Sequence, residues 1–134
     1  MSRLAPLAPL AALALVAGAA EAGPQVDYVL HCQGCHLADG SGAPGAVPTL
    51  RNSVGRFLQV PGGREYLVRV PGSSMAPLGD AELAAVLNWM IRRFGPAPIA
   101  RDFRAYTPDE VAAIRRPPLT EVEALRRELV GAME

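Results

Sequence analysis

The sequence predicts a small all-α protein, and three observations carry that expectation. Residues 80–94 place Leu83, Val86, Leu87, Met90, Ile91 and Phe94 at steps of three and four, which lines up one face of a helix. Thr107-Pro108-Asp109-Glu110 and Thr120-Glu121-Val122-Glu123 have the form of capping boxes, so each opens a further helix. Gly- and Pro-rich stretches separate the helical patterns.

The chain has 134 residues, enough for one small domain. Residues 1–22 stand apart. Ser2 and Arg3 give a short positive start, Leu4 to Ala20 is uncharged, and Ala20-Glu21-Ala22 is a small-x-small cleavage site. That is the layout of a secretory signal peptide. An uncleaved anchor is the alternative, and the short run with Pro6 and Pro9 inside it argues against one. Residues 23–95 form the expected domain and 96–134 a C-terminal extension with two short helices. A domain this short lacks a generous core of its own.

Formal net charge is zero, which gives no reason to expect a nucleic acid partner. All 13 basic residues are Arg, so any electrostatic docking must use guanidinium groups.

Taken in order, residues 26–35 read as a short helix and 51–58 as a helical turn. Residues 63–70 read as a second short helix, with Tyr66, Leu67 and Val70 on one side. Residues 71–74 are a turn that delivers Met75 into a loop. The helix over 80–94 has Asp80 and Glu82 in its first turn and Arg92 and Arg93 in its last, as the helix dipole favours. Gly95-Pro96 stops it. The helix opened at Thr107 runs to about Arg115 or Arg116, where Pro117-Pro118 ends it. The last runs from Thr120 to about Val130, with Val122, Leu125 and Leu129 as a narrow stripe.

The chemistry concentrates in His31-Cys32-Gln33-Gly34-Cys35-His36, which holds both cysteines and both histidines of the chain. Cys-x-x-Cys-His is the attachment signature of c-type haem. Two thiols one helical turn apart add across the two vinyl groups of the porphyrin. The histidine that follows then lies under the iron and ligates it. A zinc site would need a second half-site, which the sequence lacks. A thioredoxin-type pair wants a strand before it and a long helix after it, whereas the loop 39–45 follows here. The export signal agrees, because covalent haem attachment in bacteria takes place outside the cytoplasmic membrane. His31 directly precedes Cys32, so it cannot reach the opposite face of the ring. For that sixth position the candidates are Met75, Met90 and Met133. Met90 sits in a core stripe and Met133 at the chain end. Met75 in its loop is the expected ligand, with packing on the haem without ligation as the alternative.

Residues 25–95 resemble a class I c-type cytochrome. The resemblance rests on Tyr28 four residues before Cys32, Cys32-x-x-Cys35-His36, Pro48 with Leu50, Met75 with a nearby proline, and the helix 78–90. It implies a class I cytochrome c fold of several helices around one covalent haem c. Tyr28 should then pack near Trp89, and the Pro48 carbonyl should meet the second ring nitrogen of His36. Three features depart from the family. Ala76 separates Met75 from Pro77, Pro24 stands where the family has a glycine, and the extension from residue 96 is outside the resemblance. The proline suggests a late start for the first helix.

The expected function is one-electron transfer by an exported carrier of the periplasm, with His36 and Met75 on the iron and no enzyme activity of its own. Arg51, Arg56, Tyr66 and Arg69 are candidates to hydrogen-bond the haem propionates, a solvated surface charge being the alternative for each Arg. Its partners would be a redox donor and acceptor, such as a periplasmic dehydrogenase or terminal oxidase, with membrane attachment only if residues 1–22 are retained. Two other functions remain. The extension could dock the chain permanently on an oxidoreductase, unless it wraps the carrier's own surface. An open sixth site, if Met75 does not ligate, would give a ligand-binding or peroxidatic haem.

Overall fold

The computed structural model describes residues 23–134, so the expected signal segment 1–22 lies outside the described residues. The described residues are helical and include no strand, only an isolated bridge between Ala43 and Val47. None of their helices is long and apolar enough to cross a membrane.

Helix α1, Pro24–His31, starts earlier than expected. Proline needs no N–H partner in a first turn, so Pro24 opens the helix behind Gly23. The helix expected over 26–35 is two. Cys32 leaves helical geometry at φ −124°, and α2, Gln33–His36, follows. The Cys32 carbonyl still accepts from the N–H groups of both Cys35 and His36, which coils the motif into one tight turn.

A 3₁₀ turn over Val54–Gln59 takes the place of the turn expected at 51–58. The chain first turns through Asn52 at φ 52°, which delays its start. Helix α3, Gly63–Arg69, has the expected bounds within one residue. A Cβ on Gly63 would run into the Phe57 carbonyl, so glycine lets α3 begin directly against the 3₁₀ turn. Phe57 and Tyr66 then stack with ring centroids 5.0 Å apart. Pro71–Ser74 is a single helical turn, α4, rather than an irregular one, with Met75 as its C-cap.

Helix α5, Asp80–Phe94, has the bounds its periodicity predicts. The Glu82 carboxylate accepts from the Gly79 N–H and closes its first turn. Leu83, Val86, Leu87 and Ile91 are all buried and form the middle of the core. Tyr28 crosses from α1 to lie against Trp89 and Phe94, at centroid distances of 5.1 and 5.4 Å.

The extension packs back onto this body. It contains α6, Ala97–Arg101, which the sequence reading lacked, then α7, Pro108–Ile114, and α8, Val122–Gly131. At α7 only half of the capping box forms. The Thr107 side chain accepts from the Glu110 N–H, but the Glu110 carboxylate turns to Arg64 and Arg104. At α8 no side chain caps the start, so the box expected at Thr120 is not used. Tyr106, Val111 and Leu129 lie in the same buried cluster as α5. Asn88 of α5 exchanges both of its amide hydrogen bonds with the Tyr106 backbone. Residues 23–95 and 96–134 therefore share one core.

Candidate haem site

The break at Cys32 sets the site. Cys32 is half-buried and Cys35 exposed, and both thiols are free. Burial first, then the carboxylate of Asp27, pushes the Cys32 thiol up to about 11. A thiol raised in this way stays protonated at neutral pH, the opposite of the acidic thiolate of a disulfide-exchange pair. Among the described residues no three His, Cys, Asp or Glu side chains gather as a metal-binding set.

His36 closes α2. Its Nδ1 lies 3.2 Å from the Pro48 carbonyl oxygen. A carbonyl can only accept, so Nδ1 carries the proton and the lone pair is left on Nε2, the atom a metal needs. Burial lowers the proton affinity of this ring, partly offset by the Pro48 bond. Pro48 is placed by the loop that follows the motif. The Leu50 N–H and the Thr49 hydroxyl both donate to the Gly40 carbonyl, and the Ala43–Val47 bridge closes the loop between them. Gly40 takes φ 75° with its α-carbon against the Phe94 ring, where a Cβ would collide.

Leu37, directly after His36, has φ 58° and ψ 168°, a region that glycine nearly monopolises. Its carbonyl accepts from the Tyr28 hydroxyl at 2.6 Å and from the Gly40 N–H. The Tyr28 phenol in turn is pushed up to about 12, by burial first and then by Cys32 and Asp39.

Met75 lies at the end of α4 and is 66 % exposed, whereas Met90 is in the core. Arg51 pairs with Asp39, three residues past His36, at 3.1 Å. Arg56 reaches the Met133 carbonyl at 3.5 Å and Arg69 the Pro117 carbonyl at 2.9 Å, so both point to the extension. Tyr66 is buried in its stack with Phe57. The structure thus brings His36 and Pro48 together and ties Arg51 close to the motif, while Arg56 and Arg69 bond elsewhere.

The residues present suit a haem. Two free thiols sit on one turn, and a histidine follows whose Nδ1 is fixed by a carbonyl, which leaves Nε2 for the iron. Val29, Leu30 and Leu37 beside them expose apolar side chains, which a large apolar ring would cover. Sequence reasoning missed Arg115, which is buried and reaches into the loop after α4. An arginine at a helix end, beside a second arginine and two prolines, gives no sign of burial.

An all-α fold with this motif on its first helical turns is that of a c-type cytochrome, a class of electron-transfer protein with covalently bound haem c. No family model matches the chain. It is 38 % identical over 112 residues to a cytochrome c-552 of Thermus thermophilus, an alignment that covers 70 % of this chain and 86 % of that protein. A second cytochrome c-552 of Thermus thermophilus is equally similar, with 76 % of its length covered. The chain belongs to the c-type cytochromes of the cytochrome c-552 kind.

Proposed function

We propose that this chain is an exported one-electron carrier that holds one haem c through Cys32 and Cys35, with His36 and Met75 as the axial ligands. The observation that carries the reading is His36, whose Nδ1 meets the Pro48 carbonyl directly after a pair of free thiols. The haem iron supplies the one-electron couple between its ferric and ferrous states. Cys32 and Cys35 keep the group attached whether or not an axial ligand loosens. The Pro48 carbonyl holds the His36 ring and raises its basicity. The Met75 thioether is soft and uncharged, so it favours the ferrous state and raises the potential. Tyr28, Trp89 and Phe94 pack as an aromatic cluster under the segment that follows His36, which steadies the turn that carries the motif.

Arg51, Arg56 and Tyr66 are the proposed partners of the haem carboxylates. The present bonds of Arg51 and Arg56, to Asp39 and to the Met133 carbonyl, are exposed and exchange at little cost. The signal-like layout of residues 1–22 supports a periplasmic location. Redox proteins there, a dehydrogenase on the donor side or a terminal oxidase on the acceptor side, would meet arginine rather than lysine at any charged contact.

The test is spectroscopic. The ferric wild-type protein should show the weak long-wavelength band of a thioether–iron bond, and Met75→Ala should lose it. A wild type without the band, with tight carbon monoxide binding in the ferrous form, would mean an open sixth site.

A further inference from the structure

We propose that Arg115, in the C-terminal extension, is a positioning residue for Met75. The inference rests on the reading of Met75 as the axial ligand. Arg115 follows the last residue of α7 and is only 6 % exposed. A buried guanidinium requires acceptors, and this one finds four, all on the segment that carries Met75. Nε donates to the Ser74 carbonyl at 3.0 Å, Nη2 to the Ala76 carbonyl at 2.7 Å, and Nη1 to the Leu78 carbonyl at 2.7 Å and the Asp80 carboxylate at 3.0 Å. Ser74 and Ala76 are the chain neighbours of Met75 on either side. One rigid, planar fork therefore grips the backbone before and after the methionine and ties it to the first residue of α5.

The extension takes hold of the other end of the same segment as well. The Arg69 carbonyl accepts from the Leu119 N–H at 2.9 Å, and the Arg69 side chain donates to the Pro117 carbonyl. Residues 115–119 thus bracket the chain from Arg69 to Asp80. Between α4 and α5 that chain has no regular structure, and it departs from the family by the Ala76 inserted before Pro77. A loop with its carbonyls free in water would sample many positions of the Met75 side chain. A loop held at four points samples few, so the thioether is presented rather than searched for.

The cost of losing the grip falls on ligation. A neutral competitor for the sixth position binds only when Met75 is off, so its apparent affinity follows the population of that state. Imidazole binding to the full-length ferric holoprotein reads that population. Arg115→Ala should raise imidazole affinity by about tenfold or more and weaken the thioether band. Arg115→Lys, which keeps the charge but not the fork, should fall between the two. Val111→Ala removes buried volume from the same helix while every Arg115 hydrogen bond to the loop is kept, and it should leave imidazole affinity at the wild-type value. If Arg115→Ala does not accumulate, Asp80→Asn removes the charge from the one carboxylate among the four acceptors and should raise the affinity by a smaller factor.

Unchanged imidazole affinity and an intact band in the Arg115 and Asp80 variants would overturn the proposal. So would an equal rise in Val111→Ala, which would make the effect one of general stability. Met75→Ala separates this from the underlying reading. If that variant binds imidazole no better than wild type, ligation by Met75 fails. If it binds far better while the Arg115 variants do not, only the positioning role fails.

Discussion

Tyr28 does two jobs with one side chain. Its ring packs on Trp89 and Phe94, and its hydroxyl donates to the Leu37 carbonyl. The second contact restrains a residue in a backbone region that costs a leucine about 1–3 kcal/mol. Tyr28→Phe keeps the packing and removes only the bond, so it should lower stability by about 1 kcal/mol in denaturant unfolding. An effect below a few tenths would mean that Leu37 is held by its other contacts alone. Ser74 points the other way. Its side chain is fully buried and its hydroxyl has no hydrogen-bond partner. Ser74→Ala removes an unpaired polar group, so melting temperature should hold or rise, against the usual trend for a buried substitution. The sequence made the Tyr28 spacing, the Cys-x-x-Cys-His motif and the Pro48 position readable, because each depends on near neighbours along the chain. The strained Leu37 was not readable, since nothing in a leucine marks a backbone that its own side chain disfavours.

At the scale of elements, Glu110 joins α7 to α3. Its carboxylate accepts two bonds from Arg64, each at 2.8 Å, and two more from Arg104. The Arg64 bonds, more than those of Arg104, hold its carboxyl below the usual range. A depressed carboxyl takes up its proton less readily in the folded protein than in the unfolded chain. Its contribution is therefore fully present above the ordinary carboxylate value and is lost as pH falls through the lowered one. Glu110→Gln should cost about 1–3 kcal/mol near neutral pH. The gap to wild type should close as urea titrations are repeated at increasingly acid pH, and a gap that stays constant would contradict the pairing. Glu110 also explains why its capping box was only half legible. The sequence offered it a local partner in the Thr107 N–H, and two arginines competed successfully. Helix α5 was fully legible because its apolar period persists over four turns. The short α4 and α6 were not, since helices of this length are held by tertiary contact rather than propensity.

Across the whole molecule, the extension could be read as helical, but not where it lies. Its anchors, Asn88 with Tyr106, Arg64 with Glu110 and Arg115 with the Met75 loop, join residues 18 to 46 positions apart. No local pattern records such pairings. The grip of Arg115 also has a consequence for the order of events in a maturing molecule. It lies 35 to 41 residues beyond the groups it binds, so a chain made from its amino end completes Cys32, Cys35 and His36 long before the clamp exists. A chain stopped at residue 114 should still become covalently labelled, giving a haem-staining band on denaturing electrophoresis. In the ferric state it should lack the thioether band. A truncated protein with that band intact would show that the loop settles unaided. Capture of the haem and closure of its sixth side would then be two moments in the life of the chain, the first belonging to its opening third and the second waiting for its end.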